Sequence, residues 1–243
     1  MTAGARRRRR EPVRVLGLGV AICVTVAVGV ALLSDRPEPQ GEAAAVVVSP
    51  DPTPAPAVTA ASPPAPEPEP EPTVVQSGPG TFTTSSRTGS AGDRGTLVRY
   101  RVDVEDGLGV SADEFARAVA TTLHGERGWT RNGAFRFVLD PDASLRVVLA
   151  SPDTTDRLCA PLNTRGEVSC RNGDDVVINA RRWTFGVPHV PDLQQYRDYV
   201  VNHEMGHALG FGHVGCGGKG ELAPVMMQQT LGLDGCRPHA WPE

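Results

Sequence analysis

The run His203-Glu204-Met205-Gly206-His207-Ala208-Leu209-Gly210-Phe211-Gly212-His213 holds three of the chain's six histidines. Imidazole suits zinc and its neighbours in the first transition row. Side chains four apart on a helix stand on one face, with Cβ atoms about 6 Å apart. His203 and His207 can therefore reach one ion at a Zn–N distance of about 2.0–2.1 Å. Gly210 admits the left-handed backbone that ends a helix and turns the chain, so that His213 can return to the same ion. Three protein ligands leave a fourth position for water, which marks a catalytic and not a structural zinc site. Glu204, one step round the helix, can accept a proton from a water on the metal without displacing it, as a general base must. The expected metal ligands are thus His203, His207 and His213, the cofactor Zn(2+), and the catalytic residue Glu204.

A helix must carry this segment. Asp192 is an N-cap with Gln195 at the capping-box position, opening a long helix into the motif. Upstream, Thr96 to Glu105 alternates apolar and polar residues and reads as a half-buried strand. Ser111, with Glu114 three residues later, opens a helix through Phe115, Val119 and Leu123. Phe135 to Leu139, Leu145 to Ala150 and Asp175 to Ala180 read as further strands. Strands and one helix, then the helix bearing the chemistry, then a loop-rich tail suggest an α+β domain. His124 closes the first helix, where a positive charge would favour the dipole end. His189 and His239 fall in Pro-containing loops and read as solvated. Arg181, Arg182 and Trp183 read first as packing and surface charge, second as cleft lining.

The histidine segment resembles the signature of the metzincin peptidases, His-Glu-x-x-His-x-x-Gly-x-x-His followed by a methionine turn. The resemblance implies a small zincin domain with a mixed sheet, an active-site helix and a loop-rich C-terminal part. It also implies a methionine under the metal. Met226 and Met227 are both candidates, and Met226 is preferred because it follows Pro224-Val225. By the same analogy, the strand near Asp175 to Ala180 would pair with an extended substrate. The pattern departs from the better-known subfamilies at Val214, where an acidic, Ser or Pro residue is expected. It departs again at Gln228, where astacin-like enzymes have a tyrosine ligand. No cysteine lies in the preceding linker, which leaves no matrixin-style cysteine switch. Over residues 80–243 the chain resembles an actinobacterial family of domains of unknown function. That likeness rests on NHEMGHALGFGHVGC, APVMMQQTLGLDGC, Trp241-Pro242, RGWT from Arg127, and INARRW.

The rest of the chain says where such a domain would work. Residues 1–34 hold six arginines against Glu11, a net +5 in a chain of −4, which leaves −9 for residues 35–243. An acidic domain argues against nucleic acid as partner. Val15 to Leu33 contains no charged side chain, and nineteen residues span about 28 Å as a helix. The expected organisation is a basic cytoplasmic N-terminus (1–14), a transmembrane signal-anchor (15–33), a Pro-rich linker (34–80) and the catalytic domain (81–243). The positive-inside rule sends that domain out of the cytoplasm; a cleaved signal peptide with secretion is the alternative. Cys23 lies within the apolar span and reads as a buried thiol. Residues 35–80 hold 13 of the chain's 22 prolines and few large apolar side chains, too few to offset ordering entropy. The four remaining cysteines, Cys159, Cys170, Cys216 and Cys236, suggest two disulfides in an oxidising compartment. Of three pairings, Cys159–Cys170 and Cys216–Cys236 are preferred because each closes a short loop. The expected activity is peptide hydrolysis on a peptide or protein substrate by a monomeric domain. A non-catalytic zinc-bearing surface module and an amidase acting on cell-wall peptides are the alternatives.

Overall fold

A computed structural model describes residues 72–243. The basic N-terminus, the apolar span with Cys23, and the linker up to residue 71 lie outside the described residues. Among the described residues, no helix is long and apolar enough to cross a membrane.

The fold is a mixed α/β structure with a seven-stranded sheet. Its elements run β1 (Phe82–Thr84), β2 (Gly89–Ala91), β3 (Thr96–Glu105), α1 (Ala112–Leu123), β4 (Phe135–Leu139), β5 (Leu145–Ala150), α2 (Pro152–Cys159), β6 (Cys170–Asn172), β7 (Asp175–Asn179), α3 (Ala180–Phe185) and α4 (Leu193–Ala208). The strand order is β2-β4-β3-β5-β7-β6, with β1 on β3. The β3–β4, β3–β5 and β5–β7 pairs are parallel; β1–β3, β2–β4 and β6–β7 are antiparallel. Parallel strands need crossovers, and α1 and α2 supply them.

Strand β3 explains the layering. Val98, Tyr100, Val102 and Val104 alternate onto one face, where they meet α1 and α4 in the main core. Phe115, Ala116, Val119 and Leu123 form the buried stripe of α1, at helical spacing. Ser111 Oγ accepts from the Glu114 N–H at 3.4 Å and starts that helix. A smaller cluster covers part of the other face: Val148, Ala150 and Val177 against Cys159 and Cys170, with Phe82 at its rim. Both expected disulfides are present, Cys159–Cys170 with Cα atoms 6.1 Å apart and Cys216–Cys236 at 5.9 Å.

Several expectations need correction. The Asp175 strand is not an edge: β7 pairs with β5 on one side and β6 on the other, so its backbone groups are taken. The outer strand is β6, a three-residue piece with too little pattern to read from sequence. The folded part also begins before residue 81. Val74 packs on the main core, and Gly78 N–H and Gly80 N–H donate to Ser151 Oγ and Glu105 Oε1. Proline content around these residues hid that docking. His124 does end α1, but burial lowers its pKa, and its Nε2 meets the Tyr100 hydroxyl at 3.1 Å. A neutral ring held by Tyr100 replaces the expected dipole charge.

Candidate metal centre

Helix α4 is built to be central. Asp192 caps it, its Oδ1 accepting from the N–H groups of Gln194 and Gln195. Tyr199 to Gly206 are buried without a break, which is why this helix shows no simple amphipathic stripe. Gly206 sets how close its neighbours come. A Cβ there would overlap Met226 Sδ and lie 2.9 Å from Trp129 Cζ2. The helix ends in a Schellman motif: Phe211 N–H donates to Gly206 O at 2.9 Å and Gly210 N–H to His207 O at 3.1 Å. Gly210 supplies the left-handed residue, with φ +94°. Phe211 then stacks on Trp129, ring centroids 4.7 Å apart, and Trp129 Nε1 donates to Asn202 O on the helix. The turn is therefore fixed at both ends before His213 is reached.

That turn brings His213 to the two helix histidines. A ligand nitrogen from each of His203, His207 and His213 lies within 4.8 Å of the others. The His207 and His213 Nε2 atoms are 3.0 Å apart. His203 Nδ1 meets Val225 O at 2.8 Å, and His207 Nδ1 meets Phe211 O at 2.8 Å. A carbonyl oxygen can only accept, so both Nδ1 atoms carry the proton and both Nε2 atoms present lone pairs. At 3.0 Å from His207 Nε2, the His213 Nε2 needs a proton or a cation between the two nitrogens. Burial pushes the His203 pKa down to about 3 and keeps it neutral. This donor set fits a zinc ion: three imidazoles within reach of one point, two held with Nε2 free by carbonyl groups.

Glu204 stands beside this cluster, 5% exposed. Burial raises its pKa to about 8. No hydrogen bond to its carboxylate is found among the described residues, yet it lines the cleft with the three histidines. A buried acid facing a cleft with a shifted pKa has the marks of a proton-transfer group.

Met226 packs against the motif helix at Gly206. Its side chain meets Gly206, its carbonyl accepts from Val214 N–H at 3.2 Å, and the preceding carbonyl, Val225 O, holds His203. Met227 faces away, into a small cluster with Ala223 and the Cys216–Cys236 disulfide. Its carbonyl accepts from the Tyr199 hydroxyl at 3.0 Å.

The cleft measures about 480 Å³ and runs between α4, the edge strand β6 and the segments 162–169 and 228–231. Tyr199, Leu162, Thr164, Arg171 and Leu231 line it, and sequence reasoning named none of them. Tyr199 was within reach, one turn before His203 on the same helix face. The others come from loops and a short strand with no periodicity. Arg181 and Arg182 do not line the cleft; both pair with Glu167, and Trp183 packs edge-on against Phe115. His189 is exposed, as its loop suggested, whereas His239 is not simply solvated. His189 Nε2 bonds the carbonyl of Gln229 at 2.7 Å. The His239 carbonyl accepts from the buried Gln229 amide, and its own Nδ1 is buried without a partner.

The model of a family described as "Protein of unknown function (DUF3152)" matches residues 69–240, and the chain belongs to that family. No curated protein and no solved structure matches the chain.

Proposed function

We propose that this member of the family is a zinc-dependent, metzincin-like endopeptidase acting outside the cytoplasm. The observation that carries the reading is the convergence of His203, His207 and His213 beside a buried, cleft-facing Glu204. His203, His207 and His213 would hold the ion. Zinc in such a setting polarises a carbonyl and acidifies water.

The protein's own groups supply the rest. The Val225 and Phe211 carbonyls fix two imidazole rings, so ligand geometry is set before a substrate arrives. Glu204 accepts the proton of the attacking water and delivers it to the leaving amine. Burial raises the Glu204 pKa toward neutral pH and a bound cation beside it would offset part of that rise, which suits a group that must both take and give a proton. Strand β6 has one unpaired edge beside the cleft, and an extended peptide can add to it through backbone hydrogen bonds. Met226, packed against Gly206 of the motif helix, stands for the methionine turn in this reading.

Two disulfides support an oxidising compartment. The apolar stretch 15–33 after an arginine run supports export, with membrane retention as the favoured form. The test is to incubate the full-length zinc-loaded protein with a diverse peptide library and sequence the products. Internal cleavage supports the reading; an intact library moves it to a binding module or to wall peptides.

A further inference from the structure

The cleft contains a cation that nothing else in it pairs with. Apart from the three histidines, its lining holds one basic side chain, Arg171, and one acid, the buried Glu204. Arg171 is exposed, and no acid pairs with it among the described residues. Its neighbours Arg181 and Arg182, by contrast, are both tied to Glu167.

Register fixes the side from which Arg171 acts. On the edge strand, Cys170 stands opposite Val177 and Arg171 opposite Val176. Cys170 and Val177 belong to the cluster beneath α2. Val176 belongs to the core under α4. Directly opposed residues share a face, so Arg171 stands on the α4 side of the edge strand, where the cleft and the histidines are.

Resting on the reading of the site as a peptidase, we infer that Arg171 selects substrates that carry a carboxylate in the strand position facing it across the β6 edge. A peptide added to β6 places one side chain directly opposite Arg171, with Cβ atoms about 4.5–5.5 Å apart on the cleft face. An Asp or Glu there completes a charge pair that the protein leaves open. A C-terminal carboxylate at that position makes the same contact. Residues 72–243 hold 17 basic and 20 acidic side chains, a net −3, so their net charge does not attract an acidic peptide. A preference for carboxylate therefore has to come from a local cation.

The test uses full-length, zinc-loaded protein with Glu204→Gln, which binds peptides without turning them over. Matched peptides differ only in Glu or Gln at one position, each made with a free or an amidated C-terminus. The expected result is at least about fivefold tighter binding of one carboxylate form, the scale of a partly exposed charge pair. Adding Arg171→Gln should erase the difference while zinc content stays the same. Arg171→Lys should keep part of it, and raised salt should weaken it. A preference that follows the side chain marks an acid-directed endopeptidase; one that follows the terminus marks recognition of the chain end. Equal or undetectable binding of the pair, or a preference that survives Arg171→Gln, overturns the inference. Cleavage by protein with Glu204 intact is read separately, and its absence counts against the peptidase reading instead.

Discussion

At the scale of single residues, three converging imidazoles and one buried acid make the site. Each histidine has a different support. His203 is buried and held by Val225 O, His207 is held by Phe211 O, and His213 depends on the turn through Gly210. Replacing His207 or His213 with alanine should strip most of the zinc from purified protein. Full occupancy in both variants, by elemental analysis, would reject the ligand assignment. Gly206 is the tightest point of the site. Gly206→Ala should push Met226 and Trp129 outward and destabilise by about 1–3 kcal/mol, the usual cost of overpacking. An unchanged midpoint in denaturant would show that the close approach is not needed. These residues were readable in the sequence because their spacing is itself the chemistry. The Val225 and Phe211 carbonyls were not, since backbone groups have no residue type to read.

At the scale of elements, the site depends on what closes the segment after α4. The Cys216–Cys236 bond spans 20 residues and encloses Met226. In the chain-entropy model, such a closure contributes about 3 kcal/mol. Replacing both cysteines with serine should lower stability by about that amount and weaken zinc retention. The Cys159–Cys170 pair, outside the histidine loop, should lower stability with less effect on zinc. Equal zinc loss from the two would contradict this division of labour. A second element-level link is Glu105, at the end of β3. Burial acts to raise its pKa. Hydrogen bonds from Thr154 Oγ1 and from the N–H groups of Ser151 and Gly80 outweigh burial and hold it below the ordinary 4.5. A lowered folded-state pKa gives stability that is fully present above the unfolded value and lost as pH falls through the folded one. Stability should therefore decline below about pH 4.5, and Glu105→Gln should flatten that part of the profile. An unchanged profile in the variant would remove Glu105 from the explanation. The long elements were legible: β3, α1 and α4 each showed caps or periodicity over ten or more residues. The pieces β1, β2 and β6 have three residues each, and no period can be seen in three. That is why the sequence points to β7, one strand inward of the edge beside the cleft.

At the scale of the whole molecule, sequence and structure agree on a domain of helices and a mixed sheet with the histidine motif in its C-terminal third; the helix crossovers between parallel strands make it mixed α/β where the sequence suggested α+β. They differ on where it begins. Composition sets the linker's end at residue 80, but Gln76 already bonds Asp153 and Arg181. Hydrogen bonds from a Pro-flanked strap leave no mark in hydropathy. The N-terminal residues lie outside the described ones, and their role is an expectation with its own test. Protease added to intact cells should release the domain and leave the N-terminus protected. Mature protein free in the medium, beginning just after Leu33, would favour a cleaved signal instead. The most direct test is Glu204→Gln, which keeps the shape and removes the base. The account predicts a folded protein with its zinc retained and peptide hydrolysis reduced by about 10²–10⁴, the usual contribution of a positioned general base. A Glu204→Gln protein as active as the unsubstituted one would contradict it.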